Sequence, residues 1–274
     1  MSKNICKYFV KNNCKHGDQC KFVHDSEVCK NYFLDGTCKR NDKCKFKHTS
    51  TLKKVKNTEN FKPNYDKPSM NILVGIPNQN VFYKNIYTLN DVIIVPNFLN
   101  ENTHNHFYDT LLKEINDSGI EKDKLWKSWH GENHLIADDN LNWKDKVPTF
   151  QFVIDYVEKY FNMNVKSTRF NYYQNSSDWK PFHHDAAAIK ENIAKNQNFT
   201  VGISFGATRD IAFEKTGTKT VVSIPLPNNT AYAFSKDVNI NWKHGVPQID
   251  PSKSFNEGRI SIIAWGKVNL ENNI

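Results

Sequence analysis

Apolar residues are spaced in different ways along this 274-residue chain. Val92 to Phe98 (VIIVPNF) is an apolar run closed by a turn, which predicts a strand. Asn100 then stands where a helix cap is expected, and Phe107, Leu111, Leu112 and Ile115 share one face of the helix behind it. A second helix is predicted after Pro148, with Val153, Tyr156, Val157, Tyr160 and Phe161 at helical spacing. Both helices read as scaffold rather than site. After Lys166 the pattern becomes short alternating strands: TRFNYY, FTVGISFG, RDIAFEK, TVVSIPL, TAYAFS and RISIIAWGKV. Strands this closely spaced, with Gly, Pro and Asn between them, predict a mainly β sandwich or barrel of the jelly-roll kind with flanking helices.

The N-terminal part follows none of these periods. All six cysteines lie in the first 44 residues, in two copies of one spacing. Cys6, Cys14, Cys20 and His24 read C-x7-C-x5-C-x3-H, and Cys29, Cys38, Cys44 and His48 read C-x8-C-x5-C-x3-H. Three thiolates and an imidazole fill a tetrahedral zinc site with no open position, so each quartet predicts a structural zinc module whose metal supplies its folding energy. Thr49 to Pro68 (TSTLKKVKNTENFKPNYDKP) is polar, lysine-rich and aperiodic, as a flexible linker is. The expected organisation is one module over residues 1–24, a second over 25–49, a basic linker over 50–70 and a single large domain over 71–274.

Charge follows the same division. Residues 1–68 hold 16 Lys+Arg against 7 Asp+Glu, whereas residues 69–274 are close to neutral. A basic block carrying small zinc modules is the electrostatic footprint of a nucleic-acid-binding arm. No stretch reaches the length of an apolar membrane span, and the N-terminus is lysine- and cysteine-rich rather than a signal peptide. Zinc-bound thiolates without spare cysteines fit a reducing compartment, cytoplasm or nucleus.

Each module has the form C-K-x-F…C-K-F-x-H, seen in Cys6-Lys7-Tyr8-Phe9 with Cys20-Lys21-Phe22, and in Cys29 to Phe33 with Cys44-Lys45-Phe46. This resembles the CCCH zinc-finger family, whose best-studied members bind single-stranded RNA. The resemblance implies that Phe22 and Phe46 stack on bases, that His16 and Arg40 occupy a further stacking position, and that lysines including Lys21 and Lys45 contact phosphates or base edges. Phe9 and Phe33 are expected to pack within the fingers instead. Only Asp25 to Val28 separate the two fingers, which implies a compact array.

The large domain carries a second constellation: His183-x-Asp185, then His244, then Arg259. Two imidazoles and a carboxylate make the facial triad of non-haem Fe(II) oxygenases, with three positions left for cosubstrate and oxygen. Flanking stretches are Asn171-Tyr172-Tyr173, Ser204 to Phe213 (SFGATRDIAF), Trp242 to Pro247 (WKHGVP) and Arg259-Ile260-Ser261. Together they resemble the AlkB family of 2-oxoglutarate- and Fe(II)-dependent dioxygenases across about residues 90–270. The resemblance implies a double-stranded β-helix. It also implies iron on His183, Asp185 and His244, Arg259 pairing the distal carboxylate of 2-oxoglutarate, and Asn171, Tyr173 and Ser261 at cosubstrate-contacting positions. His184 is expected to point away from the metal. The pattern departs at Trp265, where many relatives carry a second arginine that buttresses the cosubstrate site and the aspartate ligand. Trp126 to His134 falls where the family places a substrate-facing lid, and its aromatics either grip a base or pack an irregular loop.

The function implied is an Fe(II)- and 2-oxoglutarate-dependent dioxygenase that demethylates N-alkylated bases in RNA or single-stranded DNA, with RNA favoured and the fingers as targeting arm. Two alternatives stay open: a hydroxylase of protein or of an unmethylated base in an RNA-associated complex, and an inactive RNA-binding protein on an oxygenase fold.

Overall fold

A computed structural model describes residues 5–49, 69–76, 81–82, 86–99, 106–129 and 134–271. The chain divides into two compact units, 1–66 and 67–274. In the first, helix α1 (Lys7–Val10) follows Cys6, whose sulfur accepts a hydrogen bond from the Phe9 amide. Helix α2 (Lys30–Asp35) follows Cys29 and stops at Gly36, which takes the left-handed conformation (φ 73°) that glycine adopts without strain. Single bridges, Ile5 to Val23 and Val28 to Lys47, close the two fingers. Val10 of the first finger and Val28 and Phe33 of the second form one buried cluster, with Ile5 and Leu34 against it. The pair is therefore a compact array, yet its core is far too small to hold it together without metal.

The second unit is built on two sheets. The larger has eight strands in the order β1 (Asn71–Val74), β3 (Asp91–Val95), β11 (Thr230–Ser235), β8 (Phe199–Gly206), β13 (Arg259–Lys267), β6 (Asn164–Tyr173), β5 (His134–Ala137) and β4 (Trp126–Trp129). The smaller has β10 (Val221–Leu226), β9 (Arg209–Lys215), β12 (Trp242–Val246) and β7 (Lys180–His183). A short pair joins β2 (Tyr87–Thr88) to β14 (Leu270–Glu271).

The central strands are apolar on both faces because both faces are covered, which is why VIIV and TAYAF read as continuous apolar runs. Val92, Ile94, Tyr232, Phe234 and Ile263 turn toward the smaller sheet and pack with Ile211, Phe213, Leu226 and Trp242. Ile93, Val95, Ala231, Ala233, Ile260 and Ile262 turn the other way, onto helices α3 (Phe107–Asn116) and α5 (Pro148–Phe161). The two predicted helices thus plug one face of the jelly roll. α5 has Pro148 in its first turn and ends at Asn162 in the left-handed region, φ 48°. The expected cap at Asn100, like most of the expected linker, lies outside the described residues. Helix α4 (Lys122–Leu125), helix α6 (Glu191–Ala194) and helix α7 (Lys236–Asn241) are short additions.

Trp126 to Trp129 and His134 to Ala137 are not an irregular loop but two antiparallel strands at the sheet's edge, with Trp129 paired to His134. Trp126 packs on Phe170 and Tyr172, while His134 is buried and stacks on Tyr173 at 4.8 Å. Aromatics replaced the alternation that would have marked the strands.

Candidate metal and cosubstrate site

The ligand triad sits on the smaller sheet, facing into the jelly roll. β7 and β12 are antiparallel neighbours, and register places His183 directly opposite His244. Asp185 follows β7 by two residues, so all three ligand atoms converge within 4.8 Å of one another. Asp185 Oδ1 lies 3.9 Å from His183 Nε2 and 3.6 Å from His244 Nε2. The Nδ1 of His183 meets the Pro181 carbonyl at 2.9 Å, and its Nε2 is the ring nitrogen on the side of Asp185. Burial, then the facing His244 and Lys180, holds His183 down to about 2, which favours the neutral imidazole that a metal would need. Burial alone would push the Asp185 carboxyl up, but His244, Lys180 and His183 outweigh it and keep the group ionised.

Asp185 is fixed from outside the triad. Its Oδ2 accepts hydrogen bonds from Thr200 Oγ1 on β8 at 3.0 Å and from the Trp265 indole Nε1 on β13 at 2.9 Å. Thr200 and Trp265 are themselves register partners across β8 and β13. Its backbone amide donates to Asn239 Oδ1 on α7 at 2.8 Å, and His184 is tied to the Asn239 carbonyl at 2.6 Å. His184 therefore points away from the triad, as expected from its place in the motif.

Behind the triad is a narrow cavity lined by Asn171, Tyr173, Lys180, Thr200, Tyr232 and Ser261 among others. Arg259 belongs to the same region, stacked 5.1 Å over the Tyr173 ring and 1% exposed. Its Nε donates to Ser204 Oγ at 2.7 Å, but both terminal nitrogens are buried without a hydrogen-bond partner. A buried guanidinium with its fork unfilled is the arrangement a carboxylate satisfies. Burial raises the pKa of Tyr173 and of Tyr232, so both stay protonated and can donate. Asn171 donates to the Ser261 carbonyl at 2.9 Å and meets His134 Nε2 at 3.3 Å, so its amide is engaged within the protein.

On the other side of the triad opens a cleft of about 560 Å³. Trp129, Arg169, Lys180, Lys190 and Trp265 line it beside His183 and Asp185, and among the described residues Asp185 is its one acid. Arg169 lies between two indoles, 4.7 Å from the Trp129 ring centre and 5.5 Å from that of Trp265. Burial, with Arg169 and Arg259 nearby, lowers Lys180 to about 8 although Asp185 pulls it back up. Thr200, Asn239, Tyr232, Lys180 and Arg169 were not legible as site residues. For Thr200 a signal existed, since it pairs with Trp265 and β-strand parity from Arg259 turns Trp265 inward. Asn239 left none, lying on a six-residue helix far along the chain from the aspartate it supports.

In the fingers, Cys6, Cys14, Cys20 and His24 converge, as do Cys29, Cys38, Cys44 and His48. His24 Nε2 and His48 Nε2 are buried with no hydrogen-bond partner, which fits atoms meant for a metal. Phe9 stacks on His24 at 4.2 Å, so it braces the ligand as packing material. In the second finger Tyr32 does this at 4.3 Å, and Phe33 goes instead into the shared core. Phe22 and Phe46 are about half exposed, and His16, Arg40, Lys21 and Lys45 are exposed around them.

Comparison with known proteins agrees with this geometry. Residues 4–25 match the CCCH-type zinc finger, and residues 25–49 match the zinc finger of C-x8-C-x5-C-x3-H type (and similar). Residues 125–264, just over half of the chain, match the 2OG-Fe(II) oxygenase superfamily. No curated protein matches the chain. Among solved structures, OsALKBH1 superposes with a TM-score of 0.45 at 14% identity, over 66% of this chain and 100% of that one. Among the described residues, no helix is long and apolar enough to cross a membrane. The matched domain uses Fe(II), 2-oxoglutarate and O2, and the two quartets suit one zinc each. The chain belongs to the 2OG-Fe(II) oxygenase superfamily and is a 2-oxoglutarate-dependent dioxygenase that carries two CCCH zinc fingers ahead of its catalytic domain.

Proposed function

We propose that this dioxygenase acts on nucleic acid, removing N-linked methyl groups from bases of RNA or single-stranded DNA, and that its fingers bring it to the strand. The observation that carries this reading is the cleft beside the triad, where Arg169, Lys180 and Lys190 stand among Trp129 and Trp265 and Asp185 is the one acid among the described lining residues. Such a wall suits a flat base attached to phosphates.

His183, Asp185 and His244 would hold Fe(II), and Arg259 would take the distal carboxylate of 2-oxoglutarate. Bound together, these groups supply oxygen activation: one oxygen atom leaves with the cosubstrate as succinate and carbon dioxide, and the other enters a substrate C–H bond. The rest falls to the protein. Tyr173 and Arg259 orient the cosubstrate, the apolar residues around the narrow cavity keep water out, and the cleft holds the methyl group toward the open face of the triad. A hydroxymethyl group on a ring nitrogen then loses formaldehyde unaided.

Mass spectrometry of methylated RNA and DNA oligonucleotides, incubated with Fe(II), 2-oxoglutarate and ascorbate, tests this. The expected result is loss of one CH2 equivalent per methyl group with formaldehyde released. Succinate formation with every N-methylated base unchanged would refute demethylation and favour a hydroxylase of protein or of an unmethylated base.

The fingers give a separate prediction. Phe22→Ala with Phe46→Ala should weaken binding to single-stranded RNA, at about 1–3 kcal/mol per stacked base, while leaving 2-oxoglutarate binding alone. Fluorescence anisotropy with a labelled oligonucleotide reads the first, and equilibrium dialysis the second. Unchanged RNA affinity would remove the stacking assignment.

A further inference from the structure

Trp265 occupies the position where the sequence pattern called for a second arginine, and it has taken up a hydrogen bond. Its indole Nε1 donates to Asp185 Oδ2 at 2.9 Å, on the oxygen turned away from the two histidines. Thr200 Oγ1 reaches the same oxygen at 3.0 Å. With Oδ2 held by two donors on neighbouring strands, Oδ1 is left facing His183 Nε2 and His244 Nε2. The indole is itself held, because the Arg169 guanidinium stacks 5.5 Å from its ring centre and 4.7 Å from that of Trp129. Its strand is distorted at this point: the pairing of β13 with β6 shifts register between Trp265 and Gly266. A Cβ on Gly266 would stand 2.1 Å from the Asn164 carbonyl oxygen, so only glycine permits that close approach.

We propose that Trp265 is a positioning residue for the metal. Its indole N–H, clamped by Arg169, orients the Asp185 carboxylate for monodentate binding through Oδ1 and replaces the arginine that this position lacks. The inference rests on His183, Asp185 and His244 holding the metal, and is independent of the substrate. It also explains why Arg169 stacks rather than pairs: a stacked guanidinium fixes a ring without competing for the carboxylate that the ring must hold.

The test is Mn(II) binding to the full, zinc-loaded chain, followed by electron paramagnetic resonance of the free ion. Mn(II) suits imidazole and carboxylate ligands, and the thiolate-rich fingers keep their zinc against it. Trp265→Phe keeps the ring for Arg169 and deletes only the donor. Loss of an outer hydrogen bond to a metal ligand typically costs about 10–100-fold in affinity, and a weakening of that size is expected. The melting temperature of the metal-free domain should stay near that of wild type, whereas a merely structural role would lower it and spare Mn(II) affinity. His183→Ala runs in parallel and should abolish binding. If it does not, the ligand assignment falls and this inference with it; if it does and Trp265→Phe binds Mn(II) as wild type does, the role of Trp265 alone is refuted. Should Trp265→Phe fail to fold, wild-type protein labelled with 15N-tryptophan decides the matter. Among the indole N–H signals that Mn(II) broadens, Asp185→Asn should shift that of Trp265, identified by sequential assignment; no shift would overturn the proposal.

Discussion

Methionine in place of Arg259 is expected to raise the KM for 2-oxoglutarate by at least about 30-fold, since truncating one partner of a buried charge pair costs about 2–5 kcal/mol. The expectation comes from what the guanidinium lacks. Only Nε has a partner, Ser204, and the two terminal nitrogens are buried and unfilled. A buried charge without its counterpart is a cost that the folded protein carries until an anion arrives. The same substitution should therefore leave the cosubstrate-free domain no less stable than wild type, or make it more so. Thermal shift separates these effects. Wild type should gain melting temperature as 2-oxoglutarate is added, in proportion to RT ln(1 + [L]/Kd), and Arg259→Met should start as high and gain little. If the variant melts far below wild type without cosubstrate and still responds to it, Arg259 is packing rather than a carboxylate site.

Alanine at His183 is expected to cut 2-oxoglutarate turnover by more than about a thousandfold, because the metal contributes several kcal/mol to such chemistry. Its side chain is 20% exposed and belongs to neither apolar cluster, so the fold should survive its loss. Succinate release measures turnover, and circular dichroism checks the fold. A variant that still makes succinate at a tenth of the wild-type rate would exclude His183 as a ligand.

Much of the architecture was legible because the physics that builds it is local. The six strands after Lys166 and the two helices at α3 and α5 announce themselves by period alone, and each found its place. The metal-binding quartets were legible because cysteine confined to 44 residues has few other uses. The strands that carry the triad were harder. β7 and β12 are four and five residues long and line an interior that is partly polar, so His183, His244 and Lys180 interrupt the apolar alternation that marks a strand. The antiparallel pair of β4 and β5 escaped for a related reason, since Trp126 and His134 are held on its opposite faces, one against Tyr172 and the other against Tyr173. Trp265 is the instructive case. A sequence pattern registers it as a missing arginine, but a hydrogen-bond donor can be supplied by either group, and only the register of β13 against β8 turns the indole toward Asp185.

The cluster of Val10, Val28 and Phe33 has a consequence for how a strand would be read. Two fingers joined by a slack tether would each search for nucleotides independently, and the second encounter would carry the entropic cost of closing a loop. Fingers that share a core instead hold Phe22 and Phe46 at one separation, so under the proposed stacking a nucleotide seated on one ring would bring its neighbours to the other without further search. On that stacking, the pair would act as a ruler with two marks. A single-stranded segment of matching length would gain both contacts, and one shortened by a nucleotide between them would keep only one.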